Sequence, residues 1–466
     1  MVGSDRRLRS VPNLTRAVQV RASRRCPVVA LWMLCGTLAH SWVATPLHAE
    51  NWPQWRGPRG TGVSRESSVP VFWNEEREIA WKCPLPEWGN STPAVWDDSV
   101  FVTSHTNDGR LLLLHIGARS GRILWTQQVG MDTAPRGTVE RKKQHFHTLH
   151  NLASPSPVTN GKVVVVHFGN GDLATYDFNG TQLWKRNLQA DYGPYVVWYG
   201  HANSPVIFGD LVISICLQDS LADLQEEPVE SYLVAHDLAT GRQRWKTSRL
   251  TGAPAEEADA YTTPLQLEVD GQPQLVVMGG NQLDAYDPRT GKQLWFLPGL
   301  TGGRTVTSPT VLGDTIFATR GKGGPLLAIP VTGGSPGGEP VERTRRDILW
   351  TSGQGSPDSC SPVAHALLLF TVTDDGIGRC YDTKTGKLKW KERLPGEYKA
   401  SPVLVQGRVL FLNTAGLCTV VSASSRFDKL VENQLDDETL ASPAVALEHI
   451  YLRGRKTLYC IGRDFR

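Results

Sequence analysis

Four of the twelve histidines of this 466-residue chain lie in two short stretches. "KKQHFHTLHNLASPSP" carries His145, His147 and His150 beside Asn151, and "DYGPYVVWYGHANSP" carries Trp198, Tyr199, His201 and Asn203. Imidazoles at these spacings could order a loop by hydrogen bonds, bind a ligand, or supply metal ligands with His147, His150 and His201 as the set. Further on, "EEADAYTTP", "GGRTVTSP", "GQGSPDSCSP" and "GEYKASP" add Asp259, Tyr261, Arg304, Asp358 and Lys399. Arg304 and Lys399 could hold an anion or offset Asp259 and Asp358.

Several other chemistries lack their pattern. There is no CxxC and no cysteine–histidine spacing for zinc. The glycine-rich "GGRTVTSP" and "GKGG" lack the strand–glycine–helix context of a phosphate loop. "HFGNGDLATYD" lacks the spacing of a calcium loop, and its Gly169–Asn170–Gly171 reads as a hairpin turn.

All of the candidates precede a recurring signal. A small or hydroxyl residue and a proline introduce an apolar strand at Pro93, Pro157, Pro205, Pro264, Pro309, Pro362, Pro402 and Pro443. Strands rich in β-branched residues follow, such as "GKVVVVHF" and "GRVLFLNT". Next come segments such as "LVAHDLATGRQRWK", in which an Asp–x–x–x–Gly turn leads to a tryptophan. Four short strands per roughly 40 to 60 residues describe a propeller blade, so the expected fold is all-β, with eight four-stranded antiparallel blades. Trp81, Trp125, Trp184, Trp245, Trp295, Trp350 and Trp390 are expected to be packing residues between blades rather than chemistry. In a propeller, loops entering the innermost strands open on one face. The candidate residues therefore fall together at one channel mouth.

The eighth repeat ends before an outer strand, while "REIAWKCPL" at residues 77–85 has no inner strands of its own. Pairing the two closes the ring and hides an edge. It would place Cys83 near Cys460, as two buried thiols or as a disulfide. Repeat seven has no tryptophan, and Phe427 is the expected substitute. Repeat five replaces its turn with a Gly/Pro/Arg loop ending at Trp350.

Residues 1–49 read as a secretory leader, with an arginine-rich start, an apolar stretch and Ala49 at the cleavage point. An uncleaved anchor is the alternative. The leader holds seven arginines against one acid, so the rest of the chain is mildly acidic, about −3. That balance speaks against nucleic acid. Residues 50–76 form a lead-in, and 77–466 the propeller.

The pattern "SPV…G…V…G.L.AYD..TGK.LW" resembles the pyrroloquinoline-quinone-type repeat of quinoprotein alcohol dehydrogenases and of the BamB-like outer-membrane assembly scaffold. "NWPQWRGPRGTGVS" resembles the lead-in of exported propellers from planctomycete-type bacteria. The resemblance implies an exported binding or scaffold module in the periplasm or at the cell surface. Its channel mouth (His147, His150, Asn151, Trp198, His201, Asn203, Asp259, Tyr261, Arg304, Asp358, Lys399) would face an envelope protein, a glycan or a small molecule. The chain is expected to be monomeric, without a stable membrane span after cleavage. The alternative is a quinone- or metal-dependent oxidoreductase at the mouth near His150 and His201. The family's adjacent cysteine pair is missing, and its calcium ligands have no matching positions here. No catalytic, cofactor or metal residue is therefore assigned, and pyrroloquinoline quinone and calcium remain only what the resemblance would bring.

Overall fold

The computed structural model describes residues 50–133, 139, 141–321, 323–334, 338–353 and 355–465. The expected leader lies outside them. Among the described residues no helix is long and apolar enough to cross a membrane.

The strands form eight antiparallel blades. Blade one runs outward from the channel through Ala94–Trp96, Ser99–His105, Arg110–Gly117 and Ile123–Met131. The second and third strands are almost wholly buried, because each blade is covered on both faces by its neighbours. Blade eight consists of Ala444–Ala446, His449–Arg453, Thr457–Ile461 and, outermost, Ile79–Pro84. The ring is thus closed by the two ends of the propeller. The register sets Cys460 opposite Trp81 and Cys83 opposite Leu458, and all six cysteines among the described residues are free and buried.

Two repeating contacts explain the sequence pattern. Six outer tryptophans donate Nε1–H to a carbonyl in the turn of the next blade, and all of these but Trp390 lie against that turn's glycine. Trp81 donates to Ala118 at 2.8 Å, Trp125 to Phe178 at 2.9 Å, Trp184 to Leu238 at 2.9 Å and Trp245 to Pro288 at 3.1 Å. Trp350 donates to Thr383 at 2.8 Å and Trp390 to Ser424 at 3.1 Å. Gly241, at φ +69°, shows why no side chain is tolerated: a Cβ would lie 2.6 Å from the Trp184 ring.

The second contact surrounds the channel. At six of the eight prolines the preceding serine accepts an amide N–H from the blade before it. Thr92 donates to Ser156 and Ser156 to Ser204, both at 2.9 Å. Thr263 donates to Ser308 at 2.8 Å, and Ser308 to Ser361 at 2.9 Å. Ser361 then donates to Ser401 at 2.9 Å and Ser401 to Ser442 at 3.0 Å. Between blades three and four, Asn203 donates from Nδ2 to the carbonyls of Ala260 and Thr262.

Three details differ from the sequence reading. Phe427 does not take the tryptophan's place. It sits in the turn of blade seven, edge-on to Trp390 at 5.3 Å, and Val431 occupies the position opposite Val420 that tryptophan holds elsewhere. Trp295 meets no turn, because blade five has none. Its Nε1–H goes to Gln274 at 3.0 Å, and the Arg343 guanidinium lies 4.8 Å over its ring. The irregular loop also adds a fifth strand, Val341–Glu342, parallel to Gln293–Leu297 at the edge of blade four.

The lead-in crosses the end of the ring opposite the mouth. It bridges to the far ends of innermost strands, Trp52 to Val95 and Val63 to Leu404. Pro53 accepts from the Thr159 amide at 2.9 Å. Arg56 is 1% exposed and donates to the carbonyls of Thr61, Ser361 and Pro362. With no carboxylate beside it, burial lowers its pKa to about 9.

Candidate functional site

The antiparallel order brings two sets of loops to the mouth: those entering the innermost strands and the hairpins joining second to third strands. A cavity of about 240 Å3 opens there. Each blade contributes to it: Asn90, His147, Tyr199, Tyr261, Arg304, Asp358, Lys399 and Leu440, in order from blade one to blade eight.

Its charges are paired. Arg304 bonds Glu256 at 2.9 Å and Asp358 at 2.8 Å, and its guanidinium lies 5.1 Å over the Tyr199 ring. These neighbours raise its pKa against the opposing cost of burial. Lys399 pairs with Asp374, whose other bonds come from the amide and hydroxyl of Ser359. The lysine and these hydrogen bonds hold Asp374 below the ordinary carboxylate range despite its burial. His147 is exposed. Its pKa is lowered by desolvation and by the nearby cations Lys399 and Arg304.

A second cavity, of about 440 Å3, lies beside the first among the loops of blades one to three. His150 and Gly200 line both. His150 bonds Ser154 Oγ through Nδ1 at 2.6 Å and stacks on Phe146 at 5.2 Å. A Cβ on Gly200 would lie 2.7 Å from His150 Nε2, so only glycine leaves room for the imidazole. His201, 1% exposed, stacks on Tyr195 at 4.7 Å and lies 4.6 Å from the His167 ring. Burial lowers His150 and His167 to about 3 and places His201 well below the usual histidine range. All three rings are neutral near pH 7.

The predicted residues therefore divide into three groups. His147, Tyr261, Arg304, Asp358 and Lys399 line the mouth cavity, Asn151 and His201 line the second, and His150 lines both. Trp198, Asn203 and Asp259 line neither and belong to the loop packing. Asp259 is fully buried and accepts the amides of Trp198 at 2.7 Å and Asp219 at 2.9 Å. Desolvation raises its pKa well above the ordinary value. Trp198 Nε1–H reaches Asp219 Oδ2 at 3.2 Å. His145 turns back to the Lys143 carbonyl at 2.9 Å, with its ring edge-on to Tyr199. Sequence reasoning missed Glu256, Asp374 and Tyr195. Asp374 was within reach, since the hairpin carrying it returns to the mouth in any four-stranded blade.

With this geometry in hand, the chain can be compared with known proteins. A family model described as outer membrane protein assembly factor BamB matches residues 63–194, 227–346 and 339–429. The chain belongs to this BamB family. A search of curated proteins found no match. Among solved structures, BamB from Moraxella catarrhalis is similar with a TM-score of 0.56 at 15% identity, over 82% of this chain and 99% of that one. Quinohemoprotein alcohol dehydrogenase from Comamonas testosteroni gives 0.62 at 14% identity, over 89% and 81%. The quinohemoprotein alcohol dehydrogenase ADHIIG from Pseudomonas putida HK5 gives 0.60 at 12%, over 89% and 80%. At these identities the likeness is one of fold.

The resemblance would bring a quinone and a calcium ion, and the described residues offer the calcium no ready ligand cluster. Among the described residues no three His, Cys, Asp or Glu side chains converge to hold a metal ion. The mouth carboxylates Asp358 and Asp374 are already held by Arg304 and Lys399. No redox step is derived through either group.

Proposed function

We propose that this BamB-family chain is an exported binding module that seats a small polar molecule, or a polar group presented by an envelope protein or glycan, in the channel mouth. One observation carries this reading: all eight blades contribute to a single cavity at one end of the channel, while the lead-in crosses the other end. Such a cup has one entrance and rigid walls, which favours preorganised binding. Arg304, Lys399 and His147 can exchange their present partners for charged or hydrogen-bonding groups of a guest, with Tyr199 and Tyr261 as aromatic walls. Export rests on the arginine-rich leader and on the family's outer-membrane description.

The test is a thermal-shift panel of dicarboxylates, amino acids and monosaccharides on the purified protein, followed by calorimetry of any hit. A ligand at about 100-fold its Kd adds roughly 2.7 kcal/mol of stability. Arg304→Gln and Lys399→Gln should each weaken a genuine mouth ligand at least tenfold. A hit indifferent to both substitutions would sink the reading.

A further inference from the structure

One buried carboxylate at the closed end has no counter-ion. Glu66, in the lead-in, is 6% exposed, and its Oε1 accepts the Glu50 backbone N–H at 2.7 Å. Among the described residues no lysine, arginine or histidine side chain pairs with it. The backbones of Leu447 and Glu448 ease its charge, and the Glu448 carboxylate adds to it. Desolvation is the largest influence and pushes its pKa up. A glutamate this deeply buried is rarely left without a cation.

The surroundings hold the nitrogen and the carboxylate in place. The Glu50 carbonyl accepts the Leu447 amide at 3.4 Å, from the hairpin between Ala444–Ala446 and His449–Arg453. The Glu50 side chain accepts the Arg65 amide at 2.7 Å and the Ser64 hydroxyl at 3.2 Å. Ser64 Oγ in turn accepts the Glu66 amide at 3.1 Å. Glu50 also directly follows Ala49, the cleavage point read from the sequence. The nitrogen that faces Glu66 is therefore the one that removal of the leader would free.

We infer that Glu66 is the seat of the chain's own α-ammonium group, created at Glu50 when the leader is removed. Hydrolysis adds one water across the Ala49–Glu50 C–N bond. Ala49 departs on the leader as a carboxylate, and the Glu50 nitrogen takes up a proton. A neutral amide with one N–H becomes a cation with three. Its bond to Oε1 becomes charge-assisted in a poorly solvated place, where such bonds are strong. Processing thus supplies the missing counter-ion and ties the start of the lead-in to blade eight. A chain that keeps its leader offers Glu66 only a neutral donor. The inference rests on the export proposed above and is independent of what the mouth binds.

The experiment produces the full chain in an exporting bacterial host and reads the first residue of the purified protein by mass spectrometry. Limiting acetic anhydride then labels the α-amine at pH 7, in the native protein and in concentrated urea. Each unit by which the pair raises the amine's pKa above its usual value near 8 slows labelling about tenfold. The expected result is a chain beginning at Glu50 whose amine reacts about tenfold or more slowly in the fold. Glu66→Gln keeps the shape and removes the charge, which separates pairing from shielding, and it should restore most of that rate. If that variant fails to fold, the labelling rate of the unaltered protein against pH decides. The charged groups facing the amine are the carboxylates of Glu66, Glu448 and Glu50 itself, and the Tyr451 phenol near Glu66 stays neutral. The midpoint should therefore lie about one unit or more above the usual value. A processed chain whose amine is as reactive in the fold as in urea, or is as slow in Glu66→Gln, would overturn the inference and leave export standing. So would an unshifted midpoint, or a first residue other than Glu50. A purified chain that retains residues 1–49 would sink both.

Discussion

The two ends of the channel are built from the same blades yet handle polar groups in opposite ways. At the closed end Trp52 is fully buried and bridged to Val95, and the Arg56 guanidinium donates only to backbone carbonyls. That end acts as a plug. At the open end cations face acids, as in Arg304 with Asp358 and Lys399 with Asp374. Those ion pairs are partly exposed, so each contributes little stability and can re-form with a guest. The contrast separates a region whose interactions hold the ring from one whose interactions remain exchangeable.

The contrast can be broken at graded cost. Trp52→Ala should have the largest effect, about 3–5 kcal/mol, because it empties a fully buried site between the lead-in and blade one. Denaturant unfolding measures it, and a loss below 1 kcal/mol would show that the lead-in is not part of the cooperative ring.

Acidification comes next. His167 and His201 are depressed in the fold, so the unfolded chain takes up protons below about pH 6.5 that the native state refuses. Their contribution is complete above that pH. It is lost as pH falls toward 3, by up to about 1.4 kcal/mol per pH unit for each histidine. Urea midpoints at pH 7.5, 6 and 5 should fall in that order, and His201→Phe should flatten the trend.

Gly241→Ala should cost about 1–3 kcal/mol, since the methyl meets the Trp184 ring and φ is positive. A neutral result in a melting experiment would argue against the tryptophan-on-glycine seam. The smallest effect belongs to the mouth. Arg304→Gln should shift stability by about 1 kcal/mol or less. A loss as large as that of Trp52→Ala would erase the distinction between the two ends.

Much of this was legible in the residues. The Ser–Pro and Thr–Pro pairs marked eight blades because most junctions around the channel use a serine hydroxyl to accept the amide of the blade before it. The Gly–x–x–x–Trp runs marked the seams because only glycine admits an indole face at that turn. The closing strand at residues 77–85 was legible because an eighth blade without an outer strand leaves an open edge. Phe427 was misjudged because sequence distance hid which side of the bulge it occupies. Asn203 and Asp259 share the mouth's composition but turn inward to satisfy backbone carbonyls and amides, and Trp198 turns to the Asp219 carboxylate, demands that composition does not reveal.

The sequence by itself determined the repeat, the blade number, the ring closure and the collection of His147, Arg304, Asp358 and Lys399 at one mouth. Periodicity and strand parity carry that information, and both are local. Only the tertiary structure decided that Arg56 and Trp52 cross the opposite end of the ring, and that the histidines divide between two cavities. Those outcomes depend on residues hundreds of positions apart, such as Arg56 with Pro362, competing for the same buried space and the same hydrogen-bond partners.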